Sequence, residues 1–252
     1  MISIVFVLFA ATSVSCSAVS ASWRDVKRVH LIDTNNLTGN FMFRGASPNV
    51  AAGTQFDINK LRSAMVQAAS DVGVTMPSQF RIIDVNLLNM DEGSYDEGEV
   101  ISEFNYFRQN PQDGSFLFWQ TLGTGSNATD PSIPAPLLQV LANTFPAWDN
   151  DDLENRALAL KALLDTQTAV PSAIYFHCDE GCDRTGETYG AYSMRIHGKT
   201  WNQVNSENLN YCGRPQMCHW YKMMQFYCLY LNRANPTAFK GCLQNIVCTP
   251  TQ

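Results

Sequence analysis

The chain has 252 residues, of which 45% are hydrophobic and 16% charged, and its formal net charge is −6. This length and hydrophobic share are sufficient for one substantial core, and they exclude a coiled coil, a collagen-like repeat or an extended disordered chain as the main architecture. A mildly acidic chain without a block of Lys or Arg also argues against nucleic acid or an anionic membrane as the principal partner. We therefore look for function in a pocket or a local surface patch.

The N-terminal segment 1–21 has the composition of a secretion signal. It contains no charged side chain, and an apolar run over 2–11 is followed by small residues with cleavage-like triplets at 16–18 and 19–21. The run is too short to span a bilayer, and a buried N-terminal strand is the alternative. We expect 1–21 to be a signal peptide and 22–252 to form one domain with a Cys-rich C-terminal extension.

A signal peptide predicts a secreted protein or one of an endomembrane lumen, with no transmembrane segment after the leader is removed. Two sequons, at Asn36 and Asn127, are compatible with a glycoprotein in such a compartment.

The hydrophobic pattern along the rest of the chain predicts alternating strands and helices. There is no internal repeat and no linker rich in Pro, Gly or Ser, so a single α/β domain is the simplest organisation. An acidic run (Glu92, Asp96, Glu97 and Glu99) is interpreted as a solvated loop, and a Met-rich aromatic helix over 217–227 as core. The predicted strands lie near 29–32, 41–43, 80–88, 116–119 and 173–176, and the predicted helices near 57–70 and 153–164.

The most informative stretch follows the last predicted strand, over residues 177–187 (HCDEGCDRTGE). A strand that runs through a tight Gly-containing loop into a helix aims backbone N–H groups and a positive helix terminus at one point, which suits a phosphate dianion. Arg184, six residues after Cys178, offers a planar fork of donors matched to two phosphate oxygens. The same donors would stabilise the thiolate of Cys178, which is the nucleophilic form, and the Thr185 hydroxyl could donate a hydrogen bond to that sulfur.

This stretch resembles the signature loop HC-x5-R-T-G of the cysteine-based protein tyrosine phosphatase superfamily, and most of all its atypical dual-specificity, phytase-like and phosphoinositide-directed branches. Residues 40–48 (NFMFRGASP) are similar to the "yRsaqP" segment of compact members. Residues 80–85 (FRIIDV) are similar to their "iIDLR" strand, although Asn86 departs from the usual Arg.

The resemblance implies a central, mostly parallel sheet with helices on both faces, and it implies no metal or other cofactor. It assigns Cys178 as the nucleophile of a phosphomonoester hydrolase that works through a cysteinyl-phosphate. The substrate phosphate would be bound by the loop residues Asp179, Glu180, Gly181, Cys182, Asp183, Arg184 and Thr185.

The family also uses an Asp as general acid, on a mobile loop that precedes the nucleophile in the chain. Here Asp149 follows Trp148 ahead of the strand that leads to Cys178, as in the family's Trp-Pro-Asp loop with the Pro missing. We expect Asp149 to be the acid, and Asp151 and Asp152 to cap the helix that follows. The alternative is that all three form an ordinary acidic helix N-terminus.

The loop is unusual in carrying three carboxylates, those of Asp179, Glu180 and Asp183. Members tuned for inositol polyphosphates often carry Lys in the loop, whereas an Asp before the Arg is similar to lipid-directed members. The substrate stays open between a phosphorylated protein or small phosphomonoester and a phosphoinositide or inositol phosphate, and a non-catalytic phosphate-binding pseudophosphatase is the alternative. Asp183 has either a catalytic role or an ion pair with an arginine such as Arg195.

Without the leader the chain has seven cysteines, all at or after position 178, and in an oxidising compartment an odd number leaves at least one thiol unpaired. One hypothesis is a reversible disulfide between Cys178 and Cys182 that protects the nucleophile from irreversible oxidation. The alternative is three structural disulfides with Cys178 free. A zinc set of His177, Cys178, Cys182, Cys218 and His219 is disfavoured because the Cys-x2-Cys spacing is missing.

Overall fold

The computed structural model describes residues 28–50, 55–90, 95–123, 135–234 and 241–242. The expected signal peptide, the sequon at Asn127 and the tail from 243 lie outside these residues. The other sequon residue, Asn36, is exposed in a turn. None of the described helices is both long and apolar enough to cross a membrane.

Five of the described strands form a central sheet, and this confirms the predicted mostly parallel α/β architecture. The spatial order is β1-β2-β7-β5-β6, in which only the edge strand β1 is antiparallel to its neighbour. A separate two-stranded ribbon is formed by β3 and β4. The strands are β1 (His30–Asn35), β2 (Asn40–Ala46), β3 (Asn49–Val50), β4 (Gln55–Phe56), β5 (Arg81–Asn86), β6 (Gly114–Phe118) and β7 (Ser172–Cys178).

Seven helices accompany the sheet in the described part of the chain. The side chain of Asp57 caps the first one by accepting from the backbone N–H of Lys60, as expected for an Asp before an apolar helical pattern. A short 3-10 turn, Phe145–Ala147, precedes the fourth. The helices are α1 (Ile58–Asp71), α2 (Tyr95–Gln109), α3 (Ala135–Asn143), α4 (Leu153–Asp165), α5 (Asp183–His197), α6 (Trp201–Cys212) and α7 (Cys218–Ala234).

Helices cover both faces of the sheet, and the alternation of side chains along β7 shows how. Ala173 and Tyr175 point into a core with α1 and α2, whereas Ile174, Phe176 and Cys178 point into a core with α4 and α5. Because both faces are buried, β7 reads as a continuous apolar run rather than an alternating one.

The predicted Met-rich aromatic helix is α7, and it lies in a third core. Trp201 of α6 and Met224 and Phe226 of α7 are buried there with residues of α3 and α5. A disulfide between Cys228 and Cys242 ties the last described residues to α7.

Three residues of the acidic run that was interpreted as a solvated loop, Asp96, Glu97 and Glu99, lie in the first half of α2, so this interpretation is wrong for them. Glu92 lies outside the described residues. Asp96 and Glu97 lie in the first helical turn, where the helix dipole favours negative charge. Glu99 is fully buried, and so is Glu103 one turn later. A helix that buries carboxylates has a weak amphipathic pattern, which is why hydrophobic periodicity did not indicate it.

Candidate active site

The candidate site lies where the central strand β7 ends. Cys178 is the last residue of β7, residues 179–182 form a short loop, and α5 begins at Asp183. The backbone N–H groups of Leu87 and Ser47 donate to the carbonyls of His177 and Asp179 at 2.9 and 3.0 Å, which fixes the start of the loop to the neighbouring chain segments. Cys178 is the free cysteine among the described residues and is 2% exposed.

Gly181 is the residue that allows the loop to turn back over the sheet. Its φ is +71°, in the region that favours glycine, and a Cβ placed on it would lie 2.5 Å from the carbonyl carbon of Gly45. Gly45 belongs to β2, so the loop is packed directly on the neighbouring strand. A side chain at Gly181 would therefore push the loop away from the sheet, whereas a Cβ on Gly45 would lie 2.2 Å from the hydroxyl oxygen of Tyr175.

Arg184 lies in the first turn of α5, and its guanidinium is held by Asp96 of α2. The distance from Nη1 of Arg184 to Oδ2 of Asp96 is 2.5 Å, and the two side chains are only 12% and 19% exposed. Burial opposes the charge of Arg184, but the neighbouring Cys178 and Asp96 outweigh it and raise the pKa of the guanidinium. The cation is therefore held by Asp96 next to Cys178.

A second arginine, which belongs to strand β2, binds the backbone of the loop. Arg44 of β2 is fully buried and donates to the Gly181 carbonyl at 3.0 Å and to the Asn208 amide oxygen at 2.5 Å. Its guanidinium lies 4.7 and 4.8 Å from the ring centroids of Tyr189 and Tyr211. Burial lowers the pKa of Arg44 to about 10, so the side chain stays charged at neutral pH.

The carboxylates of the loop are matched by an arginine from the turn between α6 and α7. Nη2 of Arg214 lies 2.5 Å from Oε2 of Glu180 and 2.7 Å from Oδ2 of Asp183. Asp183 also accepts the backbone N–H of Met217 at 2.6 Å. Of the two roles considered for Asp183, the structure therefore shows the ion pair, with Arg214 and not Arg195 as partner, because Arg195 pairs with Glu154.

The reversible disulfide between Cys178 and Cys182 is excluded by the cysteine pairing. Cys182 forms a disulfide with Cys212 at the end of α6, and Cys178 stays free. Cys218 is disulfide-bonded as well, so neither Cys182 nor Cys218 is available as a zinc thiolate. The arrangement corresponds to the alternative of structural disulfides with Cys178 free.

Thr185 does not make the expected hydrogen bond to the Cys178 sulfur. Its hydroxyl is buried and has no hydrogen-bond partner among the described residues. Thr185 belongs to the first turn of α5, directly behind Arg184.

The cap of α4 is formed by a different one of the three preceding acidic residues than expected. Asp149 caps the helix by accepting the backbone N–H groups of Asp151 and Leu153 at 3.1 and 2.7 Å, whereas Asp152 makes no side-chain cap bond. Burial raises the pKa of Asp149 to about 6. A carboxyl with this pKa is partly protonated near neutral pH, which is a property of a general acid.

Asp151 lies in a buried cluster that joins α4, α5 and the segment after β6. It accepts the backbone N–H groups of Leu122 and Gly123 at 2.7 and 2.6 Å. Glu187 of α5 is fully buried next to it, and burial together with Asp151 and Asp149 raises the pKa of Glu187 well above its ordinary value. The positive member of the cluster is Arg156, which also donates to the loop after β6.

One group of described residues could hold a metal ion, namely Asp84, Glu103 and His177, whose donor atoms lie within 4.8 Å of one another. Nε2 of His177 is 3.1 Å from Asp84 and 3.3 Å from Glu103. Burial opposes the charge on His177, but the two carboxylates outweigh it and raise its pKa well above the ordinary value. The amides of Asn49 and Asn86 donate to Glu103. The two acidic side chains therefore favour a proton on the His177 imidazole, at the place that a cation would occupy.

Sequence reasoning missed three residues that shape this site, namely Asp96, Arg44 and Arg214. Arg44 stands in the "yRsaqP"-like segment, whose resemblance alone assigned it no role. Both Asp96 and Arg214 are remote from Arg184 in the sequence, Asp96 before it and Arg214 after it. No local pattern connects residues so far apart, so only the fold shows that they meet.

Comparisons with known proteins give one distant structural similarity. No family model and no curated protein matches the chain. Among solved structures, the crystal structure of PTPMT1 is similar with a TM-score of 0.39 and 14% sequence identity, over 83% of this chain and 99% of that one. Any assignment of function therefore rests on the residues and the geometry of the loop.

Proposed function

We propose that the protein is a cysteine-dependent phosphomonoester hydrolase of the protein tyrosine or dual-specificity phosphatase type. The observation that carries this proposal is the junction of β7 and α5, where a free buried Cys178, a four-residue loop and Arg184 of the first helical turn follow one another. The loop amides, the helix N-terminus and the guanidinium supply the donors that a phosphate dianion needs.

In the first step the Cys178 thiolate attacks phosphorus in line with the ester oxygen. The S–P bond forms as the P–O bond breaks, and Asp149 gives its proton to the departing alkoxide. Arg184 and the loop amides from Asp179 to Arg184 hold the three equatorial oxygens, where negative charge is spread in the transition state.

In the second step water hydrolyses the cysteinyl-phosphate. Asp149, now a carboxylate, accepts a proton from water as the water oxygen attacks phosphorus. The S–P bond breaks, and inorganic phosphate and the Cys178 thiolate are released. The proton that Asp149 gives up in the first step is recovered in the second, so the scheme is balanced by the chain's own residues and water.

We also propose that the protein acts outside the reducing cytosol, in the secretory pathway or after secretion. Disulfides are stable in those compartments, and the bonds at Cys182–Cys212 and Cys228–Cys242 fit them. The composition of residues 1–21 supports the same compartment.

The proposal is tested by hydrolysis of a small aryl phosphate with and without EDTA. We expect turnover that EDTA leaves unchanged, a loss of at least about 10³-fold in kcat for Cys178→Ser, and a loss of about 10²-fold for Arg184→Lys. Arg195→Lys is the matched control, because Arg195 lies on the same helix but pairs with Glu154 away from the loop.

Thermal unfolding of each variant shows whether the fold is kept. Normal turnover by a folded Cys178→Ser protein would remove Cys178 as nucleophile. A wild-type protein that binds phosphate but turns over no ester would instead be a phosphate-binding pseudophosphatase.

A further inference from the structure

Residues 179–182, which we call the β7–α5 loop, are bound from outside through their backbone. Three successive carbonyl groups of the loop each accept a hydrogen bond from a donor in another segment. They are those of Asp179 from the Ser47 N–H at 3.0 Å, Glu180 from Nη1 of Arg28 at 2.9 Å, and Gly181 from Nη2 of Arg44 at 3.0 Å. The orientation of three peptide groups is therefore set by residues that do not belong to the loop.

The three donors all lie on one side of β7. Arg44 belongs to β2 and Ser47 follows it, and β2 is a neighbour of β7 in the sheet. Arg28 precedes β1, which is antiparallel to β2. Because His30 of β1 pairs with Arg44, Arg28 lies beside the end of β2. The carbonyl groups of the loop are therefore drawn towards the β1–β2 side.

The planarity of the peptide group carries this orientation over to the N–H groups. In a trans peptide the C=O of one residue and the N–H of the next point in opposite directions, and the described residues contain no cis peptide bond. Holding the three carbonyls therefore aims three successive N–H groups away from the β1–β2 side. We call them the amide cradle, and they belong to Glu180, Gly181 and Cys182.

The backbone angles of the loop agree with this orientation. Gly181 has a positive φ of 71°, whereas Cys182 is right-handed with a φ of −107° and a ψ of −66°. Successive residues of opposite hand form a nest, whose N–H groups converge on an anion. Asp96, the partner of Arg184, also accepts the backbone N–H of Asn89 just after β5, which lies on the other side of β7 from β2. The amide cradle and the Arg184 guanidinium are therefore on the same side of the loop.

Arg28 differs from Arg44 in being accessible to a clean substitution. Arg44 is fully buried, whereas Arg28 is exposed. Arg28 also has a φ of 67°, which a residue with a side chain seldom adopts, and its side chain donates to the Glu180 carbonyl and, at 3.4 Å, to the Cys182 sulfur. Arg28 therefore reaches the loop from the protein surface, where removing its side chain leaves the core unchanged.

We infer that Arg28 is a positioning residue of the hydrolase site proposed above. By holding the Glu180 carbonyl it keeps the N–H of Gly181 turned into the amide cradle. A donor that is already aimed at the developing negative charge needs no reorganisation when the transition state forms. Without Arg28 the peptide group between Glu180 and Gly181 can rotate, and the cradle loses one of its donors. The inference rests on the proposed function, because the cradle is the phosphate site of that proposal.

The first test is the amide NMR spectrum of the protein with and without inorganic phosphate. In the wild type we expect phosphate to move the Gly181 amide proton downfield, because this N–H donates to a phosphate oxygen. In Arg28→Met the Gly181 shift should be largely lost. The shift of the Cys182 amide should be kept, since the preceding carbonyl is held by Arg44. A general loosening of the loop would reduce both shifts together and would overturn the assignment to one peptide group.

Kinetics with an aryl phosphate separate the hydrogen bond of Arg28 from its charge. Arg28→Met lacks both, Arg28→Gln keeps an N–H donor without the charge, and Arg28→Lys keeps both. We expect kcat to fall about tenfold in Arg28→Met, which is less than the loss for a deleted oxyanion donor because the amide itself remains. The Gln and Lys variants should recover most of it. These ratios should not change with salt, whereas attraction of a dianion by an exposed charge is screened.

Arg81→Met is the matched control. Arg81 is also exposed and also donates to a backbone carbonyl at 2.9 Å, that of Pro111. It is the first residue of β5 and pairs with the first residue of β7, so it lies at the end of the strands opposite to the loop. This variant should keep the wild-type kcat and the wild-type Gly181 shift, and thermal unfolding shows that both Met variants are folded.

The outcomes separate this inference from the proposed function. Wild-type kcat in Arg28→Met overturns the positioning role and leaves the hydrolase standing. So does an Arg28→Gln protein that is as slow as Arg28→Met with a loss that shrinks at high salt, because Arg28 would then act by its charge. No aryl phosphate turnover by the folded wild-type protein overturns the hydrolase. In that case the Gly181 shift with inorganic phosphate decides the role of Arg28 by itself.

Discussion

At the scale of single residues, two neighbouring carboxylates differ in what they can do. Asp151 has both oxygens occupied by backbone N–H groups of the segment after β6, so its role is to fix that segment. Asp149 also has both oxygens occupied, by backbone N–H groups at the start of its own helix, but burial raises its pKa to about 6. The raised pKa makes Asp149 a source of a proton near neutral pH.

Replacing Asp149 by Asn should slow the hydrolysis of an alkyl phosphate by about 10²-fold or more, and that of an aryl phosphate with a good leaving group much less. The alkoxide needs protonation, whereas a good leaving group does not. The protonated form of Asp149 is the active one. The wild-type kcat on the alkyl ester should therefore fall as pH rises through about 6, the pKa of Asp149. Initial rates with both esters between pH 4.5 and 8 check this.

Asp151→Asn is the comparison variant for that measurement. It should lower both rates by similar factors, because it loosens the segment after β6. Removing the charge of Asp151 also lowers the pKa of Asp149, which shifts the pH profile but leaves the proton on Asp149. If Asp151→Asn shows the alkyl-selective loss and Asp149→Asn does not, Asp149 is not the acid.

At the scale of secondary-structure elements, the loop of residues 179–182 is held by α6 and by the turn after it as well as by β7 and α5. The Cys182–Cys212 disulfide joins the loop to α6, and Arg214 two residues further on binds two loop carboxylates. The position of the loop therefore depends on α6 and the turn after it, which lie outside the junction of β7 and α5.

Removing this disulfide, by Cys182→Ser with Cys212→Ser, should lower the free energy of unfolding by about 2–5 kcal/mol and also lower kcat. The loop loses its covalent link to α6, so its donors are less well positioned for the transition state. Denaturant unfolding and initial rates measure the two effects separately.

The second disulfide provides the matched control. Cys228→Ser with Cys242→Ser removes a bond between α7 and the described end of the chain, and it should reduce stability while leaving kcat of the folded protein near the wild-type value. A strong reductant should accordingly inactivate the wild-type enzyme. Activation by reductant would contradict this role of the loop disulfide.

At the scale of the whole molecule, local patterns predicted those parts of the fold that depend on neighbouring residues. The apolar run of β7, the Gly-containing loop and the start of α5 are contiguous, so the sequence alone predicted this junction of strand, loop and helix. The alternation of strands and helices likewise predicted an α/β sheet covered by helices, and the family resemblance implied that the sheet is mostly parallel. The α2 helix was missed because its carboxylates face inward, towards Arg184 and His177.

What could not be predicted are the charge partners brought together by the fold. Asp183 was expected to pair with a nearby arginine, and Arg195 of α5 is already taken by Glu154. The actual partner comes from the turn after α6, where Gly213 and the disulfide fix its direction. Burial likewise decides which carboxylates keep their protons, and burial is a property of the assembled molecule.

The buried cluster around Glu187 couples proton binding to the stability of the whole molecule. Glu187 belongs to α5, Asp149 and Asp151 precede α4, and Arg156 of α4 donates to the segment after β6. Burial raises the pKa of Glu187 well above its ordinary value, and the two aspartates raise it further. The folded protein therefore binds this proton more tightly than the unfolded chain does.

A group of this kind stabilises the fold fully below its unfolded pKa, and its contribution is lost as pH rises through the folded pKa. We expect the free energy of unfolding of the wild-type protein to decrease from pH 5 towards alkaline pH. Glu187→Gln should make this decrease shallower and raise stability at pH 9, because the amide stays neutral and its NH2 group can donate to Asp151. Glu207→Gln, which changes a partly exposed partner of Lys199, should keep the wild-type slope. Urea unfolding at pH 5, 7 and 9 checks both variants, and a Glu187→Gln profile with the wild-type slope would show that Glu187 does not hold the proton.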